Sequence, residues 1–271
     1  MHPRFNPARD LHFFGLWPAL ALGLAGACAQ PALAQQGSVG GDVVRPVQRV
    51  ELHIEPTGTD DEEEATFTFR YQRPQPLGGG WQVNLRADLP FALNSKVTAD
   101  NQAGDRDIGL GDVLLQAVFA RHTSETEGFG IGTQFILPTA REEGFGKGKW
   151  RLRPTAGYRW SIPSISKETF FQTVVRYDFS FAGDPDRANV SELQFSPNLE
   201  IALPGKAYVS LFPSTDIRYN FIHDELFIPL NMEVGKQWGS LVTSLEGGVG
   251  LTNGEHRPYD WKLDARIGIR F

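Results

Sequence analysis

The segment Tyr259–Phe271, YDWKLDARIGIRF, contains the pattern that decides the fold class. From Trp261 to Phe271 the odd positions are all apolar, whereas the even positions hold four charged residues and Gly268. Because successive side chains of a β-strand point to opposite faces, this segment would present one apolar face and one charged face. A strand of a soluble sandwich could alternate in the same way. The length of the segment and the aromatic residue at each end favour a strand that crosses a tilted path through a lipid bilayer.

The C-terminal position of Phe271 is a second feature of this segment. An aromatic residue at the tip of an amphipathic strand resembles the terminal signature of bacterial outer-membrane barrels. In those proteins the last strand is recognised by the barrel-assembly machinery. We therefore predict that Phe271 acts as an assembly signal.

Residues 1–34 are predicted to be a cleaved signal peptide. Arg4 and Arg9 precede an apolar run, and a small-x-small cleavage site ends at Ala34. The run is too short for a spanning helix and is interrupted by Pro18. This combination predicts export to the envelope of a Gram-negative bacterium.

The single cysteine of the chain, Cys28, lies inside the predicted signal peptide. Cleavage after Ala34 would leave a mature chain without a disulfide, a thiolate metal site or a cysteine nucleophile. Lipidation of Cys28 is a minor alternative, because Leu24–Cys28 resembles a lipoprotein box in which the leucine stands one place too far upstream.

Composition excludes two classes of protein. The 271 residues have a formal net charge of −6 and no basic stripe, so nucleic acid is not an expected partner. No run of 18 apolar residues follows residue 35, which excludes helical membrane spans. The mean hydropathy of −0.28 does not argue against a barrel, because half of every barrel strand is polar.

The alternation of the last segment recurs along the chain and predicts an all-β fold. We expect a flexible periplasmic lead-in at residues 35–46. Residues 47–271 are then predicted to form a transmembrane antiparallel up-and-down β-barrel of about 12 strands. The clearest strands are Trp81–Leu93 and Trp150–Trp160, with Pro154 expected to break a ladder bond and mark a bulge in the latter.

Loop lengths provide an independent test of that strand count. When both termini are periplasmic, the connections after odd-numbered strands should be the longer ones. Tight turns at Pro204 and Trp238 follow the eighth and tenth predicted strands. Longer polar connections follow odd-numbered strands: Thr57–Glu64, Asn94–Arg106, Ala140–Lys149 and Ala182–Asn189.

Aromatic residues near the predicted strand ends favour a membrane barrel over a soluble sandwich or a lipocalin-like barrel. Interfacial girdles require such a distribution. The residues concerned are Trp81, Trp150, Trp160, Trp238, Tyr158, Tyr219, Tyr259 and Phe271.

The polar faces of the predicted strands supply candidate lumen-lining residues. These are Arg86, Asp88, Asp112, Arg151, Arg153, Arg159, Arg176, Glu192, Glu200, Asp216, Glu233 and Glu246. Basic residues come mainly from the sixth and seventh strands and acidic ones from the eighth to eleventh. They would either create a transverse field across an open polar channel or fill the interior as salt bridges. A barrel of about twelve strands lies between filled and open barrels, so both alternatives stand.

Three motifs resemble a known family. They are Gly109-Leu110-Gly111-Asp112, Gly132 through Leu137-Pro138-Thr139, and Gly146-Lys147-Gly148-Lys149-Trp150 up to Pro154. Together they are similar to the outer-membrane proteins of the meta-pathway phenol-degradation family, which are barrel-forming and transport-related. The resemblance implies passage of small molecules such as aromatic compounds. The segment from Gly144 to Lys149 is expected to be a flexible outer loop that folds into the mouth.

No catalytic or metal-binding motif is found in the mature sequence. His53, His122, His223 and His256 lack ligand spacing, and the acidic run at residues 60–64 is typical of a solvated loop rather than a cation site. No nucleophile motif accompanies them, although a hydrolase triad could assemble across strands. We expect no enzyme activity, no cofactor and no metal.

The sequence predicts diffusion or uptake of small molecules across the outer membrane. The expected partners are outer-membrane lipid and lipopolysaccharide, the barrel-assembly machinery and a small-molecule solute. The alternative function is a structural or adhesive outer-membrane barrel with a closed lumen.

Overall fold

The computed structural model describes residues 44–60, 62–94, 102 and 104–271. These residues form a single antiparallel sheet that closes on itself as a barrel of twelve strands, which confirms the predicted fold class. The uninterrupted strands are β1 Arg49–Gly58, β2 Glu63–Gly78, β3 Trp81–Asn94, β5 Glu127–Ile136, β6 Lys149–Ser161, β7 Phe170–Gly183, β8 Ser191–Leu203, β11 Leu241–Gly250 and β12 Trp261–Arg270.

Three strands are each made of two segments. They are β4 (Asp107–Leu110 and Leu114–His122), β9 (Ala207–Leu211 and Ile217–Asn220) and β10 (Glu225–Phe227 and Pro229–Trp238). The break in β9 differs from the continuous strand that alternation predicted. Phe212 adopts a left-handed φ of 51°, and Pro213 has no N–H to donate to the ladder.

The first and last strands close the barrel. β12 pairs with β1 from Arg49 opposite Arg270 to Gly58 opposite Trp261. The long segments of every other strand pair with both neighbours in chain order, so their backbone polar groups find partners within the sheet. The short segments Asp107–Leu110 and Glu225–Phe227 pair on one side only, with β3 and β9 respectively.

Loop lengths at the two ends of the barrel follow the predicted asymmetry with exceptions, because residues 162–169 after β6 form a long connection and residues 59–62 after β1 form a short one. We call the end reached by odd-numbered strands the loop end, and the opposite end the turn end. The loop end carries residues 137–148 after β5 and 251–260 after β11, whereas the turn end has tight connections such as Gly79–Gly80 and the single 3₁₀ turn Pro204–Lys206. The loop after β3 lies mostly outside the described residues.

The distribution of polarity is the reverse of that in a soluble protein. In β12, Leu263 and Ile267 are 45% and 49% exposed on the outer face, while Lys262 and Asp264 are 4% and 3% exposed on the inner face. An apolar exterior and a polar interior are what a barrel in lipid requires. No helix among the described residues is long and apolar enough to cross a membrane.

Two local expectations need correction. The bulge in β6 lies between Trp150 and Arg151, not at Pro154, although the pairing of β6 with β7 is interrupted at Arg153 and Pro154. Tyr259 is not an interfacial aromatic, because it is buried and its hydroxyl donates to Asp216 at 2.9 Å. Tyr259 precedes the first residue of β12, so the alternation of the strand does not fix its direction.

The start of the described chain is packed against the barrel. Val44 is fully buried, its carbonyl oxygen accepts a 2.6 Å hydrogen bond from the Gln82 side chain, and Gly128 lies against its side chain. Only residues 44–46 of the flexible lead-in expected at residues 35–46 are described, so the lead-in stays a prediction. The predicted signal peptide and residues 35–43 lie outside the described residues.

Candidate functional site

The interior of the barrel is lined by charged and polar side chains. Buried examples occur on nearly every strand, and they interact in three groups. In a low-dielectric interior a charge is stable only when it is paired and hydrogen-bonded. The partners within each group therefore decide what the lumen can do.

The first group joins β2 and β3. The Arg70 guanidinium donates to both carboxylate oxygens of Asp88, at 3.0 and 3.1 Å. Arg86 also donates to Asp88, its Nε at 2.8 Å. The predicted lumen residues Arg86 and Asp88 thus lie together. Arg70 is missing from the candidates, although it lies on the polar side of the second predicted strand.

The second group surrounds the polar face of β12. Lys262 Nζ lies 2.8 Å from Glu246 and also contacts Asp216. Arg266 lies 2.8 Å from Glu233 and contacts Glu246 as well. The candidates Asp216, Glu233 and Glu246 therefore converge on two cations that the candidate set omitted. Alternation in β12 could have identified both cations, because it places them on the charged face.

The third group lies on β6, β7 and β9. Arg151 Nη1 and Arg153 Nη2 donate to the same Asp178 oxygen, at 2.9 and 2.6 Å. Arg176 Nη1 donates to the Thr215 hydroxyl at 2.6 Å, and a further guanidinium, Arg218, donates to Asp216 at 3.0 Å. The structure thus brings three candidates together with Asp178, Thr215 and Arg218, which were not among the candidates.

The remaining strand candidates lie apart from these groups. Arg159 is buried near the turn end, where it donates to Ser161 and lies 4.5 Å over the Phe170 ring. Glu200 is also buried near the turn end, on β8. Glu192 lies near the loop end and accepts a hydrogen bond from Gln194 at 3.3 Å.

Asp112 organises a loop. Its carboxylate accepts hydrogen bonds from the backbone N–H groups of Ala140, Lys147 and Gly148, at 3.2, 2.7 and 3.2 Å. All three donors belong to residues 137–148, which we call the β5–β6 loop. Attachment of the β5–β6 loop by Asp112 therefore explains part of the family-like motif at residues 109–112.

Close packing accounts for two glycines of these motifs. A Cβ at Gly109 would overlap the ring of Phe145, and a Cβ at Gly146 would overlap Asp112 and Ala140. Two side chains outside the loop also hold it. Asn94, at the end of β3, donates to the Gly144 carbonyl. Arg187, in the connection between β7 and β8, donates to the Arg141 carbonyl at 2.5 Å. The loop is therefore fixed at the mouth of the barrel, which corrects the expectation that Gly144–Lys149 is flexible.

A cavity of about 300 Å³ opens at the loop end. Basic residues on its wall are Lys147, Arg151, Arg153, Arg218 and Arg257, and acidic ones are Glu62, Glu64, Asp178 and Glu192. The third charged group thus forms part of its surface. The volume is at the lower end of the range for small-molecule sites.

Arg257 fixes one side of the cavity rim. It donates to Asp260 at 2.9 Å within the β11–β12 loop and to Asp60 at 3.0 Å in the β1–β2 connection. The hydrogen bonds from Arg257 hold the pKa of Asp260 below its usual range. His256, also on the rim, stacks on His223 with ring centroids 3.5 Å apart. Among the described residues, no group of three or more metal-ligating side chains is placed to hold an ion.

Comparison with solved structures identifies similar barrels. An outer membrane channel from Pseudomonas putida F1 has a TM-score of 0.66 and 16% sequence identity, over 88% of this chain and all of that one. The NanC porin has a TM-score of 0.50 and 12% identity, over 82% of this chain and 98% of that one. At these identities the similarity shows the fold alone.

Comparison with curated proteins finds no match. A family model, in contrast, matches residues 36–212, which is well over half of the chain and includes every motif of the resemblance noted in the sequence. The chain belongs to the family described as "Putative MetA-pathway of phenol degradation".

Proposed function

We propose that this protein is an outer-membrane channel through which small molecules diffuse. The observation that carries the proposal is the combination of an apolar outer face, a closed sheet and a charged interior with a cavity open at the loop end. A soluble barrel has no need of an apolar exterior. A polar interior serves solutes that lipid excludes.

The family description suggests which class of solute passes through the channel. The family description refers to phenol degradation, which suggests small aromatic compounds as the transported molecules. A similar fold in a channel from Pseudomonas putida F1 supports transport rather than catalysis. No enzyme activity forms part of the proposal.

The proposed location is the outer membrane of a Gram-negative bacterium, with the loop end outside. The longer connections at the loop end support this orientation, because outer-membrane barrels have short periplasmic turns. The proposed partners are outer-membrane lipid, lipopolysaccharide and the barrel-assembly machinery. The chain would meet them after export directed by residues 1–34.

A second candidate is a structural barrel with a closed lumen. The three charged groups and the β5–β6 loop favour it, because paired side chains and an inward loop reduce the space available to a solute. Salt bridges that fill the interior would stabilise the barrel without a transport role.

Liposome swelling distinguishes the two candidates. The detergent-folded protein is reconstituted into liposomes, and swelling is followed in isotonic solutions of small solutes of increasing size. A channel gives swelling rates that fall with solute size, whereas a closed barrel gives the rate of protein-free liposomes. Protein that has been unfolded by heating before reconstitution is the control. Swelling at the protein-free rate for the smallest solutes would overturn the proposal.

A further inference from the structure

Four arginines form one wall of the lumen, and three of them, Arg151, Arg153 and Arg218, line the cavity. Arg151 and Arg153 lie on β6, Arg176 on β7 and Arg218 on β9. Arg176 and Arg218 are both register partners of Gln194 on the intervening strand β8, so they lie in one row across the sheet. Strands are about 4.8 Å apart, which places these two backbones about 10 Å from each other. Side chains of this length can therefore converge on one solute.

The protein supplies few acceptors for these guanidiniums. Each guanidinium carries five N–H donors. Among the described residues, the acceptors are one oxygen of Asp178 for Arg151, Asp178 and Gln134 for Arg153, Thr215 for Arg176 and Asp216 for Arg218. The Nε atoms of all four arginines are buried without an acceptor from the described chain. Most N–H donors of this wall therefore have no acceptor among the described protein residues.

The charge of the wall is also incompletely neutralised. No carboxylate of the described residues lies within ion-pair distance of Arg176, whose one described acceptor is a neutral hydroxyl. Asp178 is shared by two arginines, and Asp216 also contacts Lys262. When all Lys, Arg, Asp and Glu side chains on the cavity wall are counted together with Arg176 and Asp216, six basic residues stand against five acidic ones, and one positive charge remains.

We propose that this arginine wall, defined as Arg151, Arg153, Arg176 and Arg218, binds the carboxylate group of a small organic monoanion. The inference rests on the proposed channel function and specifies its solute. Guanidinium forks match the two oxygens of a carboxylate, and a single surplus charge suits a monoanion better than a dianion. Asp178 and Glu192 on the same wall repel a second negative charge on the solute.

Equilibrium dialysis of labelled benzoate against the detergent-folded protein tests the site without requiring transport. Benzamide, which has the same ring and no charge, is the matched probe. Inorganic phosphate serves as a competitor that distinguishes a carboxylate site from a general anion site. We expect the protein to retain benzoate and not benzamide, with phosphate competing weakly.

The decisive variant is Arg176→Gln, because Arg176 has no ion pair whose loss would expose a buried carboxylate. Removal of a charge-assisted hydrogen bond should weaken benzoate binding roughly tenfold or more, and Arg176→Lys should restore part of it. Arg121→Gln is the control, because it removes the same charge from an exposed residue near the turn end that lies over Trp81.

The outcomes separate the site from the channel. Loss of benzoate retention in Arg176→Gln, with retention in Arg121→Gln, supports the site even if liposomes containing the protein do not swell. Equal retention of benzoate and benzamide, absence of retention, preferential binding of phosphate or unchanged benzoate affinity in a folded Arg176→Gln variant would each overturn it.

Discussion

Arg153 and Asp178 form a 2.6 Å ion pair across β6 and β7, and the same carboxylate oxygen also accepts from Arg151. The Asp178 side chain is only 1% exposed. One buried carboxylate is therefore shared by two arginines that line the cavity and neutralises only one of their two charges. This relationship makes Asp178 the residue on which the electrostatic balance of the wall depends.

Asp178→Asn should destabilise the barrel by about 3–5 kcal/mol, because it leaves two arginines in the interior without a carboxylate. The temperature at which the folded form is lost, read from heat-modifiable gel migration, measures the effect. Asp184→Asn is the matched control, since its ion pair with Arg187 is half-exposed and should contribute about 1 kcal/mol or less. Equal unfolding temperatures for the two variants would contradict the assignment.

Ile267→Arg tests which face of β12 meets lipid. Ile267 is 49% exposed on the outer face, and a charge there should cost about 2 kcal/mol between the midplane and the interface. Leu251→Arg, at an exposed position beyond the end of β11, should have little effect. The free energies of unfolding of the two variants are compared by chemical unfolding in lipid vesicles. An Ile267→Arg variant as stable as Leu251→Arg would show that the outer face of β12 does not lie in lipid.

Gly109→Ala should displace the β5–β6 loop, because the added methyl group overlaps the Phe145 ring. Trypsin cleavage after Lys147, which is held in the native loop by the Asp112 carboxylate, should become faster in the variant. Gly247→Ala is the control, since a Cβ there meets only ordinary contact with Leu263 at 3.7 Å. An unchanged cleavage rate in Gly109→Ala would mean that the loop is not held by this contact.

The sequence was sufficient for the strand count and for the two faces of strands such as β12. That success has a local cause, because lipid and the lumen impose opposite polarity on alternate residues of each strand. The difference in loop length between the two ends can also be predicted locally, since it depends only on the number of residues between consecutive strands.

The pairing of charges could not be predicted in the same way. Asp216 lies in the interruption of β9 and contacts Lys262, 46 positions away, and Tyr259 from the loop before β12 donates to the same carboxylate. Alternation assigns a side chain to a face but not to a partner, which depends on the barrel register and on irregular backbone. The interruption at Phe212 depends on a single left-handed residue followed by proline, and the periodic pattern continues on both sides of it.

Single-channel recording in planar bilayers tests the central claim most directly, namely that the charged lumen is a conducting path. We predict discrete current steps for the wild-type protein. The reversal potential in a salt gradient should shift toward cation selectivity in Arg218→Glu, whose side chain lines the cavity and is 30% exposed. Absence of steps from correctly folded protein, or an identical reversal potential for a conducting Arg218→Glu variant, would contradict the account.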